Sequence, residues 1–244
     1  MNIEYHKQWS PALNQDMELK IYGHAGKPVV VFPCQGGRFY EFEDFHMLDH
    51  IWPWIENGHI QLYTMDSLDN QTWANWGAHP AERACRHQDY DRYIATEVSE
   101  FIHQRTSYPG KWLTTGCSMG AYHAANFFFR HPDLFDATIA ISGPLRLNLF
   151  VGDYMDDNVY FNAPLAFLPG LHDPWFIDQY RQSHIVVCVG QGAWEDPFVE
   201  DAYALQRILE EKDIPAWIDL WGTDVNHDWP WWYRMLPYHL GHLF

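Results

Sequence analysis

The chain alternates between short runs that are apolar throughout and longer segments whose apolar residues recur at helical spacing. Pro28-Val29-Val30-Val31-Phe32-Pro33 is apolar without interruption and closes on the turn residues Gln35-Gly36-Gly37. That is the pattern of a strand buried on both faces. Gln61–Met65 (ending at Asp66-Ser67), Trp112–Thr115, Ala137–Ser142, Ile185–Val189 and Pro215–Leu220 read likewise as strands, and Met17–Tyr22 as an earlier one. Between them, Arg83–Arg105 sets Tyr93, Ile94, Val98, Phe101 and Ile102 on one stripe. Met119–His131, Phe198–Lys212 and Trp231–Leu240 are further helical segments. Such alternation predicts an α/β fold with a mostly parallel central sheet and helices on both of its faces. Chemistry in sheets of this kind sits at the C-terminal ends of the strands.

No repeat, linker or low-complexity tract divides the 244 residues, a length that suits one domain. Residues 145–176 break the alternation. They are rich in aromatics, Pro and Asp and predict an irregular excursion above the sheet, either a small lid or a packed surface loop. No apolar run reaches the roughly 20 residues of a membrane helix. The N-terminal residues have neither the basic start nor the apolar stretch of a secretory signal. A cytoplasmic location is the expectation, and the four scattered cysteines, without a CxxC pair, fit a reducing compartment.

Composition changes this picture at two points. Thirty-two acidic against 15 basic residues give a net charge of −17, which repels nucleic acid and anionic lipid, so neither is expected as a partner. Aromatic residues make up 17% of the chain. Groups such as Trp52-Pro53-Trp54, Trp73-Ala74-Asn75-Trp76 and Trp229-Pro230-Trp231-Trp232 could pack the core or line a cleft.

Candidate chemistry centres on Gly116-Cys117-Ser118-Met119-Gly120. This G-x-S-x-G follows a strand and opens an apolar helix, as a nucleophile elbow must, with glycines that let strand and helix approach closely. Cys117, at the x position, should point away from the cleft. A serine hydroxyl attacks only when a base takes its proton, and the partners of such an elbow follow in the order Ser, acid, His. His227, in the loop after the last strand, is the candidate base. His123 falls inside the elbow helix, and His239 and His242 lie beyond. The acid should follow the strand Ile185–Val189, where Glu195 and Asp196 are adjacent. Asp196 is preferred because Pro197 restricts its backbone. Asp173 and Asp178 come too early, and Glu200 and Asp201 fall in the next helix. Oxyanion donors are expected from the backbone N–H of Met119 and from the turn after the strand Val29–Phe32, at Gly37 with Arg38 as its neighbour. Neither a metal nor a cofactor is expected: HExxH, P-loop and GxGxxG patterns are missing, and Asp153, Asp156 and Asp157 are not spaced as a calcium loop.

These residues resemble the esterase family of the α/β hydrolases that includes the esterase D/S-formylglutathione hydrolases and mycolyltransferase-like proteins. Gly116–Ala121 followed by His131-Pro132-Asp133-Leu134-Phe135, the strand end Ala140-Ile141-Ser142-Gly143, and His227-Asp228-Trp229 carry the resemblance, which extends from about Val29 to Leu240. It implies the α/β-hydrolase fold, with Ser118 as nucleophile, His227 as base, Asp196 as acid, and Gly37 and Met119 as oxyanion donors. One departure is Gln35-Gly36, where many relatives have His-Gly. The implied activity is hydrolysis of a small carboxylic ester through an acyl-enzyme. An acyltransferase using the same triad, or a silent binding module on this fold, are the alternatives, and a homo-oligomer is left open.

Overall fold

The computed structural model describes residues 2–244. Eight strands form one sheet: β1 Ile3–Ser10, β2 Gln15–Tyr22, β3 Lys27–Phe32, β4 Ile60–Met65, β5 Trp112–Cys117, β6 Phe135–Ile141, β7 His184–Val189 and β8 Trp217–Leu220. Their order is β1-β2-β4-β3-β5-β6-β7-β8. β1 and β2 are antiparallel additions, β2 pairing with β4, and every pair from β4 to β8 is parallel. The helices that matter here are α1 Met47–Glu56, α2 Pro80–Arg92, α3 Met119–Arg130, α4 Pro174–Arg181, α5 Asp196–Glu211 and α6 Trp229–Leu243.

The apolar runs become central strands because each supplies both faces in alternation. In β3, Val30 and Phe32 enter one core while Val29 and Val31 enter the other. In β7, Ile185, Val187 and Val189 face the first and Val186 and Cys188 the second. The first core is covered by Tyr90 of α2, by Tyr93, Ile94, Val98, Phe101 and Ile102 beyond it, by Phe127, Phe128 and Phe129 of α3, and by Ala202, Leu205 and Leu209 of α5. The second is covered by Met47, Ile51 and Ile55 of α1 and by Trp232, Met235, Leu236 and Leu240 of α6. This is the doubly covered α/β-hydrolase architecture. No described helix is long and apolar enough to cross a membrane.

Three elements here depart from the sequence reading. β1 is a full edge strand in which Ile3, Tyr5 and Trp9 stay exposed, so its alternation carries no buried face. α1 forms around Pro53, in the stretch that reads as an aromatic cluster. Trp52 is exposed there, and Trp54 packs against the second core. The segment Arg83–Arg105 is helical but changes to a π-turn over Tyr93–Val98.

The excursion between β6 and β7 is built of short helices rather than irregular chain: Asn148–Val151, Asp157–Tyr160 and Pro164–Phe167, followed by α4. Val151, Val159 and Ala163 pack against Met119 and Tyr122 at the start of α3. Its root is fixed by Asp201 of α5, whose carboxylate accepts the N–H groups of Leu145 (2.7 Å) and Arg146 (3.2 Å).

Candidate active site

β5 ends at Cys117, and the chain turns sharply into α3. Ser118 holds φ 57° and ψ −122°, a left-handed backbone that costs a non-glycine residue roughly 1–3 kcal/mol. The surroundings enforce it. A Cβ on Gly120 would lie 2.2 Å from the Phe32 carbonyl oxygen, and one on Gly116 would lie 2.5 Å from the backbone of Gly120. Strand β3, the elbow and α3 are thus in backbone contact that only hydrogen permits. On the other side, the Ser118 N–H donates to the Ile141 carbonyl (2.9 Å), and a Cβ on Gly143 would lie 2.4 Å from the Ser118 carbonyl oxygen. Cys117 is buried in the second core, where desolvation pushes its thiol far above the ordinary range, so it cannot compete as a nucleophile.

His227 arrives from the loop after β8. Its Nε2 lies 2.9 Å from Ser118 Oγ, within hydrogen-bond reach although 109 residues separate the two. The loops after β7 and β8 are stitched together to hold it. Gly192 N–H donates to the Val225 carbonyl (2.8 Å), His227 N–H to the Ala193 carbonyl (3.0 Å), and Ala193 N–H to Asn226 Oδ1 (2.8 Å). Gly190 and Gly192 are required here, since a Cβ on either would come within 2.2–2.3 Å of Val225 or Asn226. The imidazole is flanked by Trp232, edge-on at 5.0 Å, and by Phe198 at 5.2 Å.

The acid facing the imidazole is Glu195, and Asp196 stands outside the site. Glu195 Oε1 lies 3.4 Å from His227 Nδ1, and the Glu195 side chain is wholly buried. Neither of its oxygens has a hydrogen-bond partner among the described residues. A carboxylate buried without such partners is costly, and the His227 imidazole is the ionisable group it faces. Asp196 is exposed and opens α5. Pro197 occupies the first turn of that helix, where proline starts a helix instead of fixing the preceding carboxylate toward His227.

The turn after β3 also differs from the sequence expectation. Gly37 donates its N–H to the Cys34 carbonyl (2.8 Å) and so spends it within the turn. Cys34 N–H goes to Glu41 Oε2 (2.8 Å), Gly36 N–H to Asp69 Oδ2 (3.2 Å) and Phe39 N–H to Asp66 Oδ1 (3.0 Å). Among the described residues, the amides of Gln35 and Arg38 have no protein acceptor. Burial raises the Glu41 carboxyl above its usual range, opposed by the Cys34 N–H. Met119 is the first residue of α3, so its N–H lacks a partner within the helix and points to the side from which the chain enters. Glu41 and Asp69 were not singled out by the sequence. The one available signal for Asp69 was its position just past the C-terminal end of β4.

Cys188, Asp219 and His239 have ligand atoms within 4.8 Å of one another, between β7, β8 and α6. None belongs to the Ser118 group, and Asp219 Oδ2 already accepts the Trp221 indole N–H (2.8 Å).

The sequence model of the family named Esterase, described as "Putative esterase", matches residues 10–243. The chain belongs to this family. It is accordingly an enzyme that hydrolyses esters. Solved structures agree on the fold of this esterase. A ferulic acid esterase superposes with TM-score 0.77 at 16% identity, covering 99% of this chain and 97% of its own. The S-formylglutathione hydrolase of Agrobacterium tumefaciens gives 0.70 at 15% identity, covering 98% and 93%. That of Staphylococcus aureus gives 0.68 at 13%, covering 99% and 96%. None of the curated proteins matches the chain.

Proposed function

We propose that this esterase cleaves a small carboxylic ester in two steps through an acyl-enzyme on Ser118, with His227 as base and Glu195 as the acid that orients it. The observation that carries the reading is the 2.9 Å approach of His227 Nε2 to Ser118 Oγ on a strained elbow. Ser118 Oγ attacks the ester carbonyl while His227 takes its proton. Glu195, across the ring at Nδ1, selects the tautomer with its free lone pair on Nε2 and stabilises the imidazolium. The oxyanion then formed is met by the Met119 N–H and by an amide of the turn after β3, for which Gln35 and Arg38 are the free donors. His227 returns its proton to the leaving alcohol, and the acyl group stays on Ser118. Water, deprotonated by the same imidazole, releases the acid and restores the hydroxyl. Residues 145–176, packed on Met119 and Tyr122, would wall the cleft over the nucleophile.

Turnover of a p-nitrophenyl ester tests this. Ser118→Ala should lower kcat by about four to six orders of magnitude while the fold persists. A folded Ser118→Ala variant within tenfold of the parent enzyme would refute the reading.

A further inference from the structure

We propose that Asp69 and His123 are a positioning pair that locks the oxyanion turn, residues 34–38, to the nucleophile helix; this rests on the serine-esterase reading above. Asp69 is wholly buried and spans two elements. Its Oδ1 meets His123 Nε2 at 2.8 Å, and its Oδ2 accepts the Gly36 N–H at 3.2 Å. His123 is on α3, five residues beyond Ser118, so the carboxylate joins the helix that presents the nucleophile to the turn that supplies an oxyanion donor. The pair has little freedom to relax. Asp69 N–H donates to Ser67 Oγ (3.0 Å), and the Asp69 carbonyl accepts from Thr72 (3.1 Å) and Ala74 (2.9 Å). The His123 ring is enclosed by Phe32, His87 and Tyr90 at centroid distances of 5.6–5.8 Å.

The consequence lies in the direction of the amides. Gly36 holds φ +69°, and its N–H is drawn inward to the carboxylate. With Gly37 turned back on Cys34, the flanking Gln35 and Arg38 amides are the ones left for the oxyanion. A buried carboxylate would be a poor choice for packing alone. Here it fixes peptide planes whose misplacement by about 1 Å can cost on the order of a hundredfold in rate.

The test compares Asp69→Asn, His123→Gln and the double variant on p-nitrophenyl acetate, reading kcat and KM separately. Each single variant should lower kcat by about 10- to 100-fold, short of what deleting a donor outright costs, with KM changed less than about threefold. The double variant should be no worse than Asp69→Asn alone, because the two residues act as one unit. Folded variants with kcat within twofold of the parent, or losses that multiply in the double variant, would overturn the pairing. If the variants do not fold, amide hydrogen exchange in the unaltered protein decides. Gly36 N–H should exchange at least about tenfold more slowly than Gln35 N–H, since only the former has an internal acceptor. Equal rates would overturn the proposal. Failure of the unaltered enzyme to label at Ser118 with a fluorophosphonate would instead count against the serine-esterase reading itself.

Discussion

At the scale of single residues, Glu195 and Asp196 give the sharpest contrast. They are neighbours in sequence, yet one is wholly buried 3.4 Å from His227 Nδ1 and the other is exposed. Glu195→Gln should keep the fold and cut turnover of an activated ester by about three to four orders of magnitude, because an amide can hold the wrong imidazole tautomer and cannot stabilise imidazolium. Asp196→Asn should leave turnover within about threefold. Assaying both on one substrate checks the assignment, and the reverse ranking would return the role to Asp196. The proximity of Ser118 and His227 could be read from the chain because each role has a fixed place: a G-x-S-x-G between strand and helix, then a histidine past the last strand. The acid could not be resolved in the same way. At the start of a helix, adjacent side chains diverge by about 100°, so the choice depends on which one the loop turns inward. The free amide of the turn after β3 was illegible for a similar reason. Glycines at 36 and 37 signal a close approach, but which amide stays free depends on Glu41 and Asp69, which approach from other elements.

At the scale of elements, the site is an assembly of backbone contacts among β3, β5, α3 and the loops after β7 and β8. Gly120→Ala tests that assembly. Its Cβ would fall 2.2 Å from the Phe32 carbonyl oxygen, a rigid neighbour, so α3 must move away from β3 and take the elbow with it. Overpacking of this kind costs about 2 kcal/mol or more, or about 4–8 °C in Tm for a protein of this size, with activity falling as well. Gly77→Ala, where an added Cβ meets nothing closer than 3.8 Å, should shift Tm by less than about 2 °C. Equal Tm values for the two variants would contradict the packing account. The central strands and the helical segments Arg83–Arg105, Met119–His131, Phe198–Lys212 and Trp231–Leu240 were legible because their apolar residues fill two cores in alternation or form one stripe, whereas the short helices of the excursion before β7 were not. β1 and α1 were not. The alternation of Ile3, Tyr5 and Trp9 runs along an exposed edge, and Pro53 and two tryptophans disguise a helix whose buried face is Met47, Leu48, Ile51 and Ile55.

At the scale of the whole molecule, burial of histidine sets a limit on acid stability. Desolvation lowers His239 from 6.5 to about 4 against the partial opposition of Asp219, and it holds His87 well below the ordinary value. The unfolded chain therefore takes up protons at these rings before the folded one does. Stability is fully present above about pH 6.5 and is lost as the pH falls toward 4, by up to about 3 kcal/mol for His239 alone. Urea unfolding at pH 7 and pH 4 should show His239→Phe losing about 2 kcal/mol less than the unaltered protein over that interval. Equal losses would contradict the placement of a neutral imidazole there. The central claim is a different one, that Ser118 is the nucleophile of this esterase. It is tested most directly by treating the folded protein with a fluorophosphonate and mapping the adduct by peptide mass spectrometry. The account predicts one adduct per chain, on the peptide containing Ser118 and at that residue, and none in Ser118→Ala. Label on Cys117 or another serine, or folded protein that takes up no label, would contradict it.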